Sequence, residues 1–182
     1  MRRFFGSITY VMGMFLLFLS CVDEQDFDQV NDLTITPTVA TGIFYLESDQ
    51  NTIDNTSSNN VFYSQTIDFE AFNEPYVAER LLEGVLLYEV ENTTNKILQL
   101  TIEFLDVNGL VLDTEIFNIA AYPSGTFDRE VAYPADKSLA ILTNTTDIRL
   151  TGLLIGEDTN SMEPADPKIK LRSAGEFLFQ LQ

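Results

Sequence analysis

The reactive inventory of this 182-residue chain is narrow: one cysteine, no histidine and no tryptophan. Histidine is the usual general base near neutral pH and the commonest metal ligand. Its absence removes Ser-His-Asp triads, Cys-His pairs and ordinary zinc sites together. No Gly-x-Ser-x-Gly, Ser-x-x-Lys, phosphate-binding loop or dinucleotide fingerprint is present. Carboxylates and one thiol remain. Glu70 with Glu74, and Glu79 with Glu83, have the spacing that sets two acids on one helical face, and a two-carboxylate glycosidase needs no histidine. With 28 acidic residues in the chain such pairs arise by chance, and a solvated helix face is the simpler account. Asp23, Asp26, Asp28 and Asp32 lack the alternate spacing, central glycine and distal glutamate of a calcium loop. No metal and no cofactor is therefore expected. The thiol, Cys21, has no second cysteine to pair with, so the fold stands on burial alone even in an oxidising compartment.

Cys21 has a distinctive setting. Met1-Arg2-Arg3 is a cationic start, residues 8–19 are an almost unbroken apolar run, and Ser20 is small. These are the parts of a secretory leader, and the run is shorter than the roughly 20 residues a membrane-spanning helix needs. Leu17-Phe18-Leu19-Ser20-Cys21 resembles the lipobox of bacterial lipoproteins. The resemblance implies that residues 1–20 are a signal peptide cut before Cys21, that the Cys21 sulfur receives a diacylglycerol, and that its new amine is acylated. Two or more chains make a stable anchor. The other reading is an uncleaved N-terminal membrane helix with an inert Cys21.

Residues 21–32 read as a solvated tether: five of the 11 residues after Cys21 are acidic, with no apolar period. The run resembles the acidic export signal that follows the cysteine in surface lipoproteins of Bacteroidetes-type bacteria. The resemblance implies that Asp23, Glu24, Asp26 and Asp28 form a sorting signal and that the protein is lipid-anchored at the outer membrane, facing the cell surface. The alternative is a plain acidic spacer on a periplasm-facing lipoprotein.

Without residues 1–20, eight basic residues face 28 acidic ones, a net charge of −20. Such a surface repels nucleic acid and anionic headgroups and favours a basic partner or plain solvation. The acids are unevenly spread, with Arg80 the only base in residues 22–91.

The elements that must position any site are mostly strands. Residues 42–46, 61–70, 85–91, 98–104, 110–120, 127–133, 148–155 and 168–181 read as strands. Leu98, Leu100, Ile102 and Phe104 alternating with polar residues is the cleanest half-buried pattern. Asn108-Gly109 marks a hairpin between two of them. Residues 48–60 read as a polar loop. Asn73 as cap and Pro75 in the first turn predict a helix over 74–83 that Gly84 ends. Ser138 before Leu139 and Leu142 predicts a second short helix. Leu100, Ile102, Phe104, Phe177 and Phe179 are expected in the core. Lys168, Lys170 and Arg172 make one basic stripe on the last strand, read as charge balance against neighbouring acidic strands. Tyr63, Tyr76, Tyr122 and Tyr133 suit either core packing or a ligand patch. Asn55, Asn92 and Asn144 each begin an Asn-Thr-Ser or Asn-Thr-Thr triplet, read as turns.

These spacings argue for an all-β, antiparallel β-sandwich over residues 33–182 with one or two short helices; a closed lipocalin-like barrel is the alternative. Asn92-Thr93-Thr94 followed by the strand ending Phe104-Leu105-Asp106-Val107-Asn108-Gly109 resembles the immunoglobulin-like modules of bacterial lipoproteins. That resemblance implies a fold and no activity. Two function classes follow. The first is a non-enzymatic binding or scaffolding accessory at the outer membrane or cell surface, held in the membrane by Cys21, with other outer-membrane proteins or glycans as partners and no nucleic acid. The second is a carboxylate-based glycan hydrolase, with surface glycan binding between the two.

Overall fold

The computed structural model describes residues 34–56, 59–158 and 164–181. Residues Ile35–Leu181 form one compact unit. Eight strands build it: β1 (Thr38–Asp49), β2 (Val61–Asp68), β3 (Leu81–Asn92), β4 (Lys96–Leu105), β5 (Val111–Ile119), β6 (Gly125–Tyr133), β7 (Asp147–Glu157) and β8 (Lys168–Phe179). Three short helices interrupt them: α1 (Gln50–Asp54), α2 (Pro75–Ala78) and α3 (Leu139–Asn144).

The strands form two four-stranded antiparallel sheets, in the orders β1-β8-β3-β6 and β2-β7-β4-β5. The expected β-sandwich is what forms, and the closed barrel is not. Strand β1 pairs with β8, β2 with β7, β3 with β6 and β4 with β5. The chain is thus one long antiparallel ribbon, folded back at the β4–β5 turn and rolled across two sheets, which is a jelly roll. Here the immunoglobulin-like detail is corrected. An immunoglobulin sandwich sets its first and second strands side by side, whereas only β4 and β5 are sequence neighbours within a sheet here. Strand periodicity dictates which face is buried and carries no information on which strand lies alongside.

The ribbon's turning point is Asp106–Leu110. Gly109 sits at φ +76°, where glycine has no steric cost. Asp106 Oδ1 accepts the N–H groups of Asn108 (2.8 Å) and Leu110 (2.9 Å), which closes the turn.

Alternation does the rest. Leu98, Leu100, Ile102 and Phe104 of β4 all point inward and are buried, as are Ile169, Leu171 and Phe177 of β8. Phe179 lies at the end of β8 and is only half-buried against the core. Gly152 on β7 receives the Phe62 ring: a Cβ there would lie 2.6 Å from Phe62 Cζ.

Two local expectations are overturned. Residues 48–60 contain α1, because Asp49 caps it by accepting the Thr52 N–H at 2.7 Å and Ile53 is fully buried. One apolar side chain in a polar stretch is enough to pin a single turn. The helix over 74–83 shrinks to α2, and β3 begins at Leu81, so Gly84 lies inside a strand. Gly84 pairs with Tyr133 on β6 and Phe177 on β8. Two-sided pairing overrides the weak local helix preference. Helix α3 forms as expected, with Ser138 Oγ accepting the Ala140 N–H.

Candidate functional site

Residues 1–32, including Cys21 and the four acids Asp23, Glu24, Asp26 and Asp28, lie outside the described residues. The carboxylate pairs do not assemble into a site. Glu70, Glu74, Glu79 and Glu83 are all exposed, and Glu79 and Glu83 are divided between the end of α2 and the start of β3. The four tyrosines do not share a surface: Tyr133 is buried between the sheets, whereas Tyr76 is exposed with the Arg80 guanidinium 3.5 Å above its ring. Among the described residues no group of three or more His, Cys, Asp or Glu is placed to hold a metal. No described helix is long and apolar enough to cross a membrane.

A groove of about 590 Å³ lies on the outer face of the β8-β3-β6 strands. Strand alternation builds it. Tyr88, Arg129 and Ser173 have inward parity, so Leu87 and Ala174, paired in register, form an apolar floor. Glu89, Asp128, Glu130 and Arg172 stand around that floor. Arg172 Nη1 donates to Glu89 Oε1 at 3.0 Å, which holds the guanidinium above its ordinary pKa. Asp128 stands opposite Glu89 in the β3–β6 register, a like-charged pair, and Glu130 lies two residues further along β6. Like charges directly opposite are destabilising.

Tyr45 extends the face onto β1. It pairs in register with Arg172, whose guanidinium carbon lies 6.0 Å from the Tyr45 ring centre. Its hydroxyl donates to Glu47, which raises the phenol's pKa and lowers that of Glu47. The basic stripe sits on this face as charge balance. Lys168 reaches Asp166 at 2.7 Å and Glu47 at 3.1 Å, and Lys170 reaches Glu91 at 2.9 Å. Tyr45 as an exposed group was missed from sequence. Its parity with Glu47 and Asp49, opposite to buried Leu46 and Ser48, is the signal that finds it.

A second cluster closes the sandwich between β5 and β6. Glu115 is 1% exposed. It meets Arg129 Nη2 at 2.8 Å and Lys137 Nζ at 2.5 Å, and Lys137 also reaches Asp113. Burial alone pulls the Lys137 pKa down, but these two carboxylates outweigh it and hold the ammonium above its ordinary value. The hydroxyls of Tyr88 and Tyr133 are buried with no hydrogen-bond partner among the described residues. Burial raises both phenols, and their charged neighbours add to it. Both hydroxyls stay protonated at neutral pH, and the charged members of the cluster pair with one another, with Arg129 at its exposed edge. Its chemistry is structural. It too was readable, since Asp113 and Glu115 share parity with the core residues Phe117 and Ile119.

No protein-family model and no curated protein matches the chain. Solved structures with a related chain course are remote. An infectious bursal disease virus VP2 subviral particle matches at 12% identity and TM-score 0.36, over 81% of this chain and 33% of that one. The chain spans about a third of the length of that capsid protein. A Triatoma virus empty capsid matches at 10% identity and TM-score 0.38, over 78% of this chain and 89% of that one. The structure titled "BiXyn10A CBM1 APO" matches at 10% identity and TM-score 0.37, over 78% and 96%. Likeness at this level carries no argument about activity.

Proposed function

We propose that the chain is a membrane-anchored lipoprotein that acts as a non-enzymatic binding or scaffolding accessory at the outer membrane, held by lipid on Cys21 and displayed at the cell surface. The anchor rests on the leader and on Leu17-Phe18-Leu19-Ser20-Cys21. The observation that carries the binding role is the groove: an apolar floor of Leu87 and Ala174 with Asp128 and Glu130 on β6 offered to solvent. That combination holds a ligand by contact area and directs it by a few polar groups.

A surface glycan is the second reading, and Tyr45 favours it. An exposed ring beside the guanidinium of Arg172 offers a flat apolar surface next to hydrogen-bonding groups. Glycan hydrolysis by the groove's carboxylates is the enzymatic version of that reading.

Three measurements test these proposals. Mass spectrometry of the membrane-extracted protein should show an acylated N-terminal cysteine, and a native mature protein that still carries residues 1–20 sinks the anchor. Protease shaving of intact cells should digest the wild type and spare a variant with Asp23, Glu24, Asp26 and Asp28 changed to Ala. Equal protection of both forms means a periplasm-facing protein. Titration with soluble oligosaccharides should give a heat that Tyr45→Ala abolishes if glycans bind. Product release that Asp128→Asn or Glu130→Gln removes would make the protein a hydrolase instead.

A further inference from the structure

Each sheet has two edge strands, β1 and β6 in one and β2 and β5 in the other. An edge strand offers unpaired N–H and C=O groups, and a bulge that breaks its regularity is one way proteins guard it. Three of these four edges carry one. The register slips at Ile43 of β1, at Phe62 of β2 and at Leu112 of β5, and each of these residues lacks a cross-strand partner. Strand β6 has no slip: Gly125 to Tyr133 match Asn92 to Gly84 of β3 residue for residue. Ala132 shows which way its free row points. The Ala132 N–H donates to Asp136 Oδ2 at 2.9 Å, and the Ala132 carbonyl accepts the Asp136 N–H at 2.8 Å, so both groups face away from β3. Alternation turns the backbone groups of Glu130, Asp128 and Thr126 the same way. Among the described residues no strand pairs with them.

The side chains of the same residues select the occupant. Asp128 and Glu130 are exposed. The cations beside them are engaged elsewhere: Arg172 with Glu89, Arg129 with Glu115, and Lys137 with Asp113 and Glu115. We propose that β6 is a docking edge for an extended basic segment of a partner protein. The segment adds to the sheet as an antiparallel fifth strand and sets two cationic side chains, two residues apart, opposite Asp128 and Glu130. Backbone hydrogen bonds supply the affinity, and the acids supply the choice of partner. The proposal rests on the binding role proposed above and names its partner. The same charges disfavour a second copy of this chain. Strand β6 laid against β6 sets Asp128 opposite Glu130 twice, and like charges directly opposite are destabilising.

The probe is a seven-residue peptide that alternates lysine and valine, added to the full-length protein in detergent and followed by amide hydrogen exchange. In the free protein the Asp128 and Glu130 amides should exchange faster than those of Phe127 and Arg129, which face β3. The peptide should slow both exposed amides about tenfold or more. In this pairing the lysine amides face β6 and the valine amides face away. A peptide N-methylated at its lysines should therefore give no protection, and one N-methylated at its valines should keep it. Asp128→Asn with Glu130→Gln should weaken the lysine peptide about tenfold. Asp128→Lys with Glu130→Lys should transfer the preference to a peptide that alternates glutamate and valine. Equal protection by the two methylated peptides, or loss with the valine-methylated one, overturns the proposal. So does a lysine peptide that leaves both amides unprotected. If soluble oligosaccharides bind in that case, the binding role stands and only this partner falls.

Discussion

Asn55, Asn92 and Asn144 occupy the same three-residue pattern in sequence, yet the structure predicts very different costs for removing them. Asn92 is 1% exposed at the β3–β4 turn. Its Nδ2 donates to the carbonyls of Lys96 and Ala120, both at 2.8 Å. Its Oδ1 accepts the Thr94 N–H at 3.0 Å and the Thr94 hydroxyl at 2.7 Å. Thr94 is itself fully buried. In Asn92→Ala the Thr94 N–H and the Lys96 carbonyl lose these bonds where water does not reach. At about 1–3 kcal/mol per orphaned group, the variant should lose about 3–5 kcal/mol. Net stability for a domain this size is about 5–15 kcal/mol, so the variant still folds, and its midpoint temperature should fall by about 10 °C. Asn144 instead makes one side-chain bond to a helical carbonyl, Ala140 O, and Asn55 one to Asn51 O, both at exposed positions. Their alanine variants should cost less than about 1 kcal/mol. Urea unfolding of the three variants beside wild type is the assay. A cost for Asn92→Ala below about 1 kcal/mol, or equal to that of the two exposed asparagines, would refute the reasoning.

Three further outcomes follow from the packing and the turn chemistry. Phe104→Ala empties a fully buried ring site on the central β4 strand; it should cost about 3–5 kcal/mol by denaturant titration. Gly152→Ala drives a methyl to within 2.6 Å of the Phe62 ring, so it should cost about 1–3 kcal/mol, and Phe62→Leu in the same chain should recover part of that. Asp106 has its pKa lowered below 3.8 by the N–H groups of Leu110 and Asn108. A folded pKa below the unfolded one means that its contribution is present above pH 3.8 and lost as pH falls through the folded value. Carboxyl chemical shifts should therefore titrate below the ordinary aspartate value, and Asp106→Asn should make the turn's amide protection insensitive to pH in that range.

What the sequence makes legible here is the orientation of side chains, and what it hides is the choice of strand partners. Period two is a property of the extended backbone itself, so Leu98 to Phe104 announce their buried face with no knowledge of the rest of the fold. The same rule, applied to polar residues, puts Asp113 and Glu115 on the core side with Phe117 and Ile119, and Tyr45 on the outside with Glu47 and Asp49. Partner choice is a different kind of quantity. Strand β1 meets β8 across the whole length of the domain, and no local pattern near residue 40 names residue 175. Nor does an Asn-Thr-Thr triplet tell a buried turn from an exposed helix end, because the carbonyls that Asn92 binds come from Lys96 nearby and Ala120 far along the chain. The helix over 74–83 fails for the same reason: its caps are local, while the ladders that pull Leu81 onward into β3 come from β6 and β8. The faces themselves stand between these cases. The outward residues Ser64, Thr151, Thr101 and Ile116 are each uncharged for reasons invisible in their own strands, and the neutral row emerges only when the register lines them up. In a chain with 28 acids, a row of four strands with no charge at its centre is a property of the assembled sheet. For that reason the neutral row is read from pairing and not from sequence.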